Sequence, residues 1–108
     1  MSISVKAGVK VAGLQPAALY ILRAAEPIWE RYNQTLTLTS ACEGEHRSGS
    51  LHYVGLAADL RRWGFTNTEL RRAAKELRQA LGKHYDVVVE RTHIHVEYQP
   101  KEALDWPF

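Results

Sequence analysis

Two short segments gather the side chains able to bind a metal or move a proton. The first, SLHYVGLAAD at residues 50 to 59, sets His52 and Asp59 seven positions apart, with Gly55, Ala57 and Ala58 between them. The second, ERTHIHVEY at residues 90 to 98, places Glu90, His93 and His95 within six positions. Alternate residues of a strand share a face, so if Ile94 and Val96 enter the core, His93, His95 and Glu97 project from the opposite side. Imidazole nitrogen and carboxylate oxygen suit a borderline metal such as zinc. His52, Asp59 and one of the paired histidines make the three-ligand complement of a catalytic zinc ion with an open fourth position. Such an ion lowers the pKa of a water toward about 7. A general base is then still needed, and Glu90 is the nearest carboxylate. A lone histidine is more often a satisfied surface or core residue than a ligand, and His84 is read that way. His52, Asp59 and the histidine pair together, with small residues that permit close backbone approach, are harder to explain by packing.

These residues need elements to position them. Pro16 fits the first turn of a helix, and Leu19, Ile21, Leu22, Ala25, Ile28, Trp29 and Tyr32 continue it as an apolar stripe, so a helix is predicted over about 16 to 32. Pro27 lacks an amide donor, which predicts a kink or a break near Ala24 to Glu26. TLTLTSA alternates threonine with leucine and predicts a strand over about 35 to 41. CEGEHRSGSL, residues 42 to 51, reads as a loop. LAADLR is a short strand with Leu56, Ala58 and Leu60 on one face and Ala57, Asp59 and Arg61 on the other. Thr66 and Glu69 form a capping-box pair ahead of Leu70, Ala73, Ala74, Leu77 and Leu81, and Gly82 closes that second helix. YDVVVE and HIHVEY supply two further β-rich runs with Val87, Val89, Ile94 and Val96 as core candidates. The sum is an α+β domain: a small antiparallel sheet of about four strands with two main helices.

A chain of 108 residues suits one hydrophobic core, so residues 1 to 108 are expected to form a single domain. An apolar fraction of 45% with 24% charged residues is ordinary for a globular protein and argues against disorder. A net charge of +2 is too small to argue for nucleic acid. The cluster of Arg61, Arg62, Arg71, Arg72, Lys75 and Arg78 is read as a solvated helix face, and no nucleic-acid partner is expected. The single cysteine, Cys42, excludes an internal disulfide and any Cys-pair zinc site. Lys6 and Lys10 interrupt the N-terminal segment before it reaches signal-peptide length, and no run approaches the roughly 18 to 20 apolar residues of a membrane span. The expectation is a monomer, cytoplasmic where it is made, with no membrane partner.

SLHYVGLAAD fits the pattern S-x-H-x-x-G-x-A-x-D and so resembles the LAS family of zinc peptidases, which includes D-Ala-D-Ala carboxypeptidases, D-Ala-D-Ala dipeptidases and phage L-alanyl-D-glutamate endopeptidases. ERTHIHVEY is similar to the family's downstream histidine element on a strand. The resemblance covers about residues 35 to 98 and implies the LAS and Hedgehog-like fold, a Zn2+ cofactor, and a peptidoglycan stem peptide as substrate. Carried over residue by residue, it implies His52 and Asp59 as the first two ligands and Ser50 as a residue shaping the ligand loop. His95 matches the third ligand of the D-H-x-H version, which gives His93 a supporting role toward substrate or oxyanion. His93 stays open as the alternative ligand.

The sequence departs from that version in two places. An acid is expected three positions before the ligand, yet Thr92 stands three before His95, whereas Glu90 stands three before His93. Either His93 is the ligand or Glu90 reaches the water from another strand position, and Glu90 is the expected base in both cases. Active members of that family often carry an arginine after the first strand, in a T-S-G-Y-R-like segment, that pairs with a substrate carboxylate, and this chain reads TSACEGEHR there. His46 and Arg47, a few residues on, are the candidate substitutes, since guanidinium binds carboxylate as a bidentate fork. The expected activity is zinc-dependent hydrolysis of an amide bond in peptidoglycan stem peptides, in a phage or prophage lysis setting. A non-catalytic zinc-binding virion-structural or binding module of the same fold is the alternative.

Overall fold

The computed structural model describes residues 3–42 and 55–100. Strand β1 (Ile3–Val5) leads into helix α1 (Pro16–Arg31) and strand β2 (Leu36–Ser40). Strand β3 (Ala57–Arg61), helix α2 (Asn67–Leu81), strand β4 (Tyr85–Val89) and strand β5 (His93–Tyr98) follow. The sheet has the order β1-β2-β3-β5-β4. All its pairings are antiparallel except β1 with β2, which run parallel across the α1 crossover. The sheet is therefore five-stranded and mixed, where the sequence predicts about four antiparallel strands. The three residues of β1 are too few to show alternation, and all are exposed at the sheet edge, so no burial pattern announces them.

Both helices pack on one face of the sheet. Their buried stripes, Ala18, Ile21, Ala25, Ile28 and Trp29 on α1 and Leu70, Ala73, Ala74, Leu77 and Leu81 on α2, meet Leu36, Leu38, Ala58, Leu60, Val87, Ile94 and Val96 from the strands. Helix α1 runs unbroken through Pro27, against the expected break near Ala24 to Glu26. Pro27 and Arg23, whose carbonyl loses its i+4 donor, are both exposed residues, so the missing bond falls on the solvent side and the buried stripe stays intact. Helix α2 begins as expected: Thr66 Oγ1 accepts from the Glu69 amide at 3.1 Å and Glu69 Oε1 accepts from the Thr66 amide at 2.9 Å. Gly82 closes it with φ of +86°. Tyr32 donates to Glu76 at 2.7 Å and joins the helices, and Tyr85 donates to the Ala17 carbonyl at 2.7 Å, tying β4 to the start of α1. No helix among the described residues is long and apolar enough to cross a membrane.

The glycine between the two outer residues of the first motif has a packing reason. Gly55 has φ of +76°, and a Cβ built on it would overlap the carbonyl oxygen of Gly13. The Gln15 amide donates to the Gly55 carbonyl at 2.9 Å, so the approach to β3 lies directly against the segment that opens α1. Gly55→Ala combines a left-handed backbone with a backbone clash and is expected to cost roughly 2 to 4 kcal/mol. A urea midpoint equal to that of the unaltered protein, at the same slope, would refute this.

Candidate metal centre

With the helices on one face, the other face of the sheet carries the polar residues. Register sets them in rows across three strands. Asp59 pairs with His95, which pairs with Val88; Ala57 pairs with Glu97, which pairs with Asp86; and Arg61 pairs with His93. The Glu90 amide donates to the His93 carbonyl at 2.8 Å and extends this last row into the β4–β5 hairpin. Glu90 itself stands one residue beyond the end of β4, two positions after Val88. Opposite Asp59 the β2–β3 register shifts between Leu38 and Ser40, a β-bulge centred on Thr39, whose hydroxyl donates to the Asp59 carbonyl at 3.2 Å. Bulges of this kind re-aim neighbouring side chains.

Asp59 is buried and the two histidines are half-buried. One ligand atom from each of Asp59, His93 and His95 lies within 4.8 Å of the others. His95 Nδ1 is 2.8 Å from Asp59 Oδ1, and His93 Nε2 is 3.6 Å from Asp59 Oδ2. Each ring's second nitrogen has its own partner: Glu97 Oε1 at 2.8 Å from His95 Nε2, and Thr92 Oγ1 at 3.0 Å from His93 Nδ1. Gln99, with its amide nitrogen turned toward the carboxylates, donates to Glu97 Oε2 at 2.9 Å and to Asp86 Oδ2 at 3.2 Å, holding Glu97 in place. Two imidazoles aimed at one carboxylate, each fixed from behind, form a donor set that fits a zinc-like ion.

In this arrangement His95 stands between two carboxylates, which favour its protonated form. The hydrogen bond to Asp59, reinforced by Glu97, raises its pKa from 6.5 to about 8 against the opposing effect of burial. A raised folded-state pKa adds stability that is fully present below the unfolded value of about 6.5 and is lost as pH rises through about 8. The metal-free protein is therefore expected to lose on the order of 1 to 2 kcal/mol of stability between pH 6.5 and 8.5. His95→Gln should flatten that dependence in chelator-treated urea titrations, and an unchanged slope would rule out His95 as its source.

A cleft of about 570 Å3 adjoins the triad, lined by Lys6, Thr39, Ser40, Asp59, Arg61, Trp63, Thr92 and His93. His93 thus faces the cleft, while His95 lies behind it against Glu97. Glu90 is exposed on the hairpin, its carbonyl accepting from Arg62 Nη1 at 2.6 Å. His46, Arg47, Ser50 and His52 lie outside the described residues. Glu97 and Thr92 have no assigned role in the sequence motifs. Glu97 was legible from strand alternation, two positions after His95, whereas the contact from Thr92 needed the hairpin geometry. The basic cluster is dispersed: Arg61 lines the cleft, Arg62 binds the hairpin, Arg78 forks onto the Val87 carbonyl at 3.0 and 3.2 Å, and Arg71, Arg72 and Lys75 are exposed on α2.

Compared with family models, with curated proteins and with solved structures, the chain matches none. The fold and the site define a small α+β domain carrying an Asp-His-His cluster suited to a metal ion on the open face of its sheet.

Proposed function

We propose that this protein is a zinc-dependent hydrolase of amide bonds in peptidoglycan stem peptides, acting in phage or prophage lysis. The observation that carries the proposal is the convergence of Asp59, His93 and His95 within 4.8 Å beside an open cleft. The two motifs that resemble the LAS zinc peptidases supply the substrate class. Asp59 and His95 would hold the ion together with His52, and Glu97 would orient His95 by accepting from its outer N–H. When bound, zinc supplies a Lewis acid that polarises the scissile carbonyl and acidifies the attacking water.

The remaining steps belong to the chain. Glu90, in the row of His93, would take the proton from the attacking water and return it to the leaving amine nitrogen. With Nδ1 accepting from the Thr92 hydroxyl, His93 would carry its ring hydrogen on Nε2, where it can stabilise the developing oxyanion. The decisive experiment is metal analysis of the purified protein combined with mass spectrometry of its peptidoglycan digests. One zinc per chain with new amine and carboxyl termini in stem peptides is the expected result. One zinc per chain with no cleavage across several peptidoglycan types would identify a non-catalytic zinc-binding module instead.

A further inference from the structure

Arg61 is the residue of the open face that the proposed chemistry leaves unused. It lies two positions after Asp59 on β3, directly across from His93 in register, and it lines the same cleft. Its guanidinium carbon sits 4.5 Å from the ring centroid of Trp63, which is 71% exposed. Among the described residues no carboxylate lies within ion-pair distance of Arg61 or of Lys6, which enters the cleft from the end of β1. A half-buried arginine usually satisfies its fork within the protein. Here an aromatic face orients the fork and no acid engages it, beside a site whose own acid is directed at the histidines.

We propose that Arg61 is a substrate-binding residue that anchors a free carboxylate of the substrate in this cleft, with Trp63 as the platform fixing its guanidinium plane and Lys6 adding attraction. The inference rests on the hydrolase reading for its catalytic consequence, although the anchor itself needs no metal. A planar carboxylate takes two parallel N–H bonds from a stacked guanidinium, and the Arg61–His93 pairing places that anchor one strand away from the proposed oxyanion donor. Arg61 would thereby select substrates with a carboxylate close to the scissile amide, and would act on KM more than on kcat. The carboxylate has two sources in a peptide, the chain terminus and an acidic side chain.

The test uses three probes on the full chain, with and without zinc: N-acetyl-alanine, N-acetyl-glutamic acid α-amide and N-acetyl-alaninamide. Binding is followed by chemical shifts of the Trp63 indole and Arg61 guanidinium protons. One carboxylate probe is expected to bind and move both signals, the uncharged amide to leave them still, and the preferred probe to identify the source. Charge-assisted hydrogen bonds of this kind make the expected loss in Arg61→Ala about 10- to 100-fold, with Arg61→Lys intermediate and Trp63→Ala several-fold weaker. If Arg61→Ala does not fold, the Arg61→Lys comparison decides, because it keeps the charge and removes the fork. Equal binding of carboxylate and amide, or undiminished carboxylate binding in both Arg61 variants, would overturn the inference. Arg61-dependent carboxylate binding without hydrolysis in the zinc-loaded protein would refute the hydrolase reading and leave the anchor standing.

Discussion

Asp59→Asn is expected to abolish zinc binding while leaving the protein folded. The substitution keeps the size of the side chain and its place opposite His95, yet removes the carboxylate charge that, among the described residues, both histidines face at close range. Three protein ligands are the minimum of an ordinary catalytic zinc site, so losing one should reduce metal content from about one ion per chain to a small fraction. The metal-free variant offers a second readout, because the Asp59 hydrogen bond is the main cause of the raised His95 pKa. A proton titration of His95 should move back toward the usual histidine range. His52→Ala and His95→Ala are expected to lose the ion as well, whereas His93→Ala should keep it and lose activity. Full occupancy in Asp59→Asn would refute the site. Loss in His93→Ala with retention in His52→Ala would instead establish the three clustered side chains as the whole ligand set.

Glu90→Gln is expected to retain zinc and to lose roughly 10²- to 10⁴-fold in turnover, the range that general-base catalysis supplies. Glu97→Gln makes the informative contrast. It disturbs the partner of His95 Nε2 and should cost about 10- to 100-fold in metal affinity, as outer-shell partners of zinc histidines do. Carboxylates on either side of the Asp59–His95 row would thus fail in different ways, one in turnover and the other in affinity. Thr92→Asp places an acid where the D-H-x-H pattern has one, and in the Glu90→Gln background it is expected to restore part of the lost rate. Turnover of Glu90→Gln equal to that of the unaltered protein would eliminate Glu90 as the base. Circular dichroism on each variant separates these outcomes from unfolding.

The strongest local signals survived into the structure: the capping box at Thr66, the glycine end at Gly82, the leucine and threonine alternation of β2, and the placement of His93 and His95 together on the face opposite Ile94 and Val96. Each rests on a period or a cap that involves only a few neighbouring residues. β1 escaped because three edge residues hold no period, and its parallel pairing is a tertiary event that depends on the α1 crossover. Pro27 misled because a local rule about missing donors ignores which side of the helix faces water. At the site, alternation placed Asp59 and the histidines on the open face, but spacing could not say that β3 and β5 are direct neighbours in register. The roles of Thr92, Arg61 and Trp63 depend on that adjacency.

The position of β5 in the sheet has a consequence for timing. β5 follows β4 in the chain, yet it inserts between β3 and β4 and pairs with both. Until it arrives, β3 and β4 have no common neighbour, and Asp59 faces no histidine from the far side. Chains are synthesised N-terminal end first, and contacts distant in sequence close late. The Asp59–His93–His95 cluster therefore comes together only when β5 joins β3, so a partly folded chain would lack the candidate metal site however much of its helical layer had already formed.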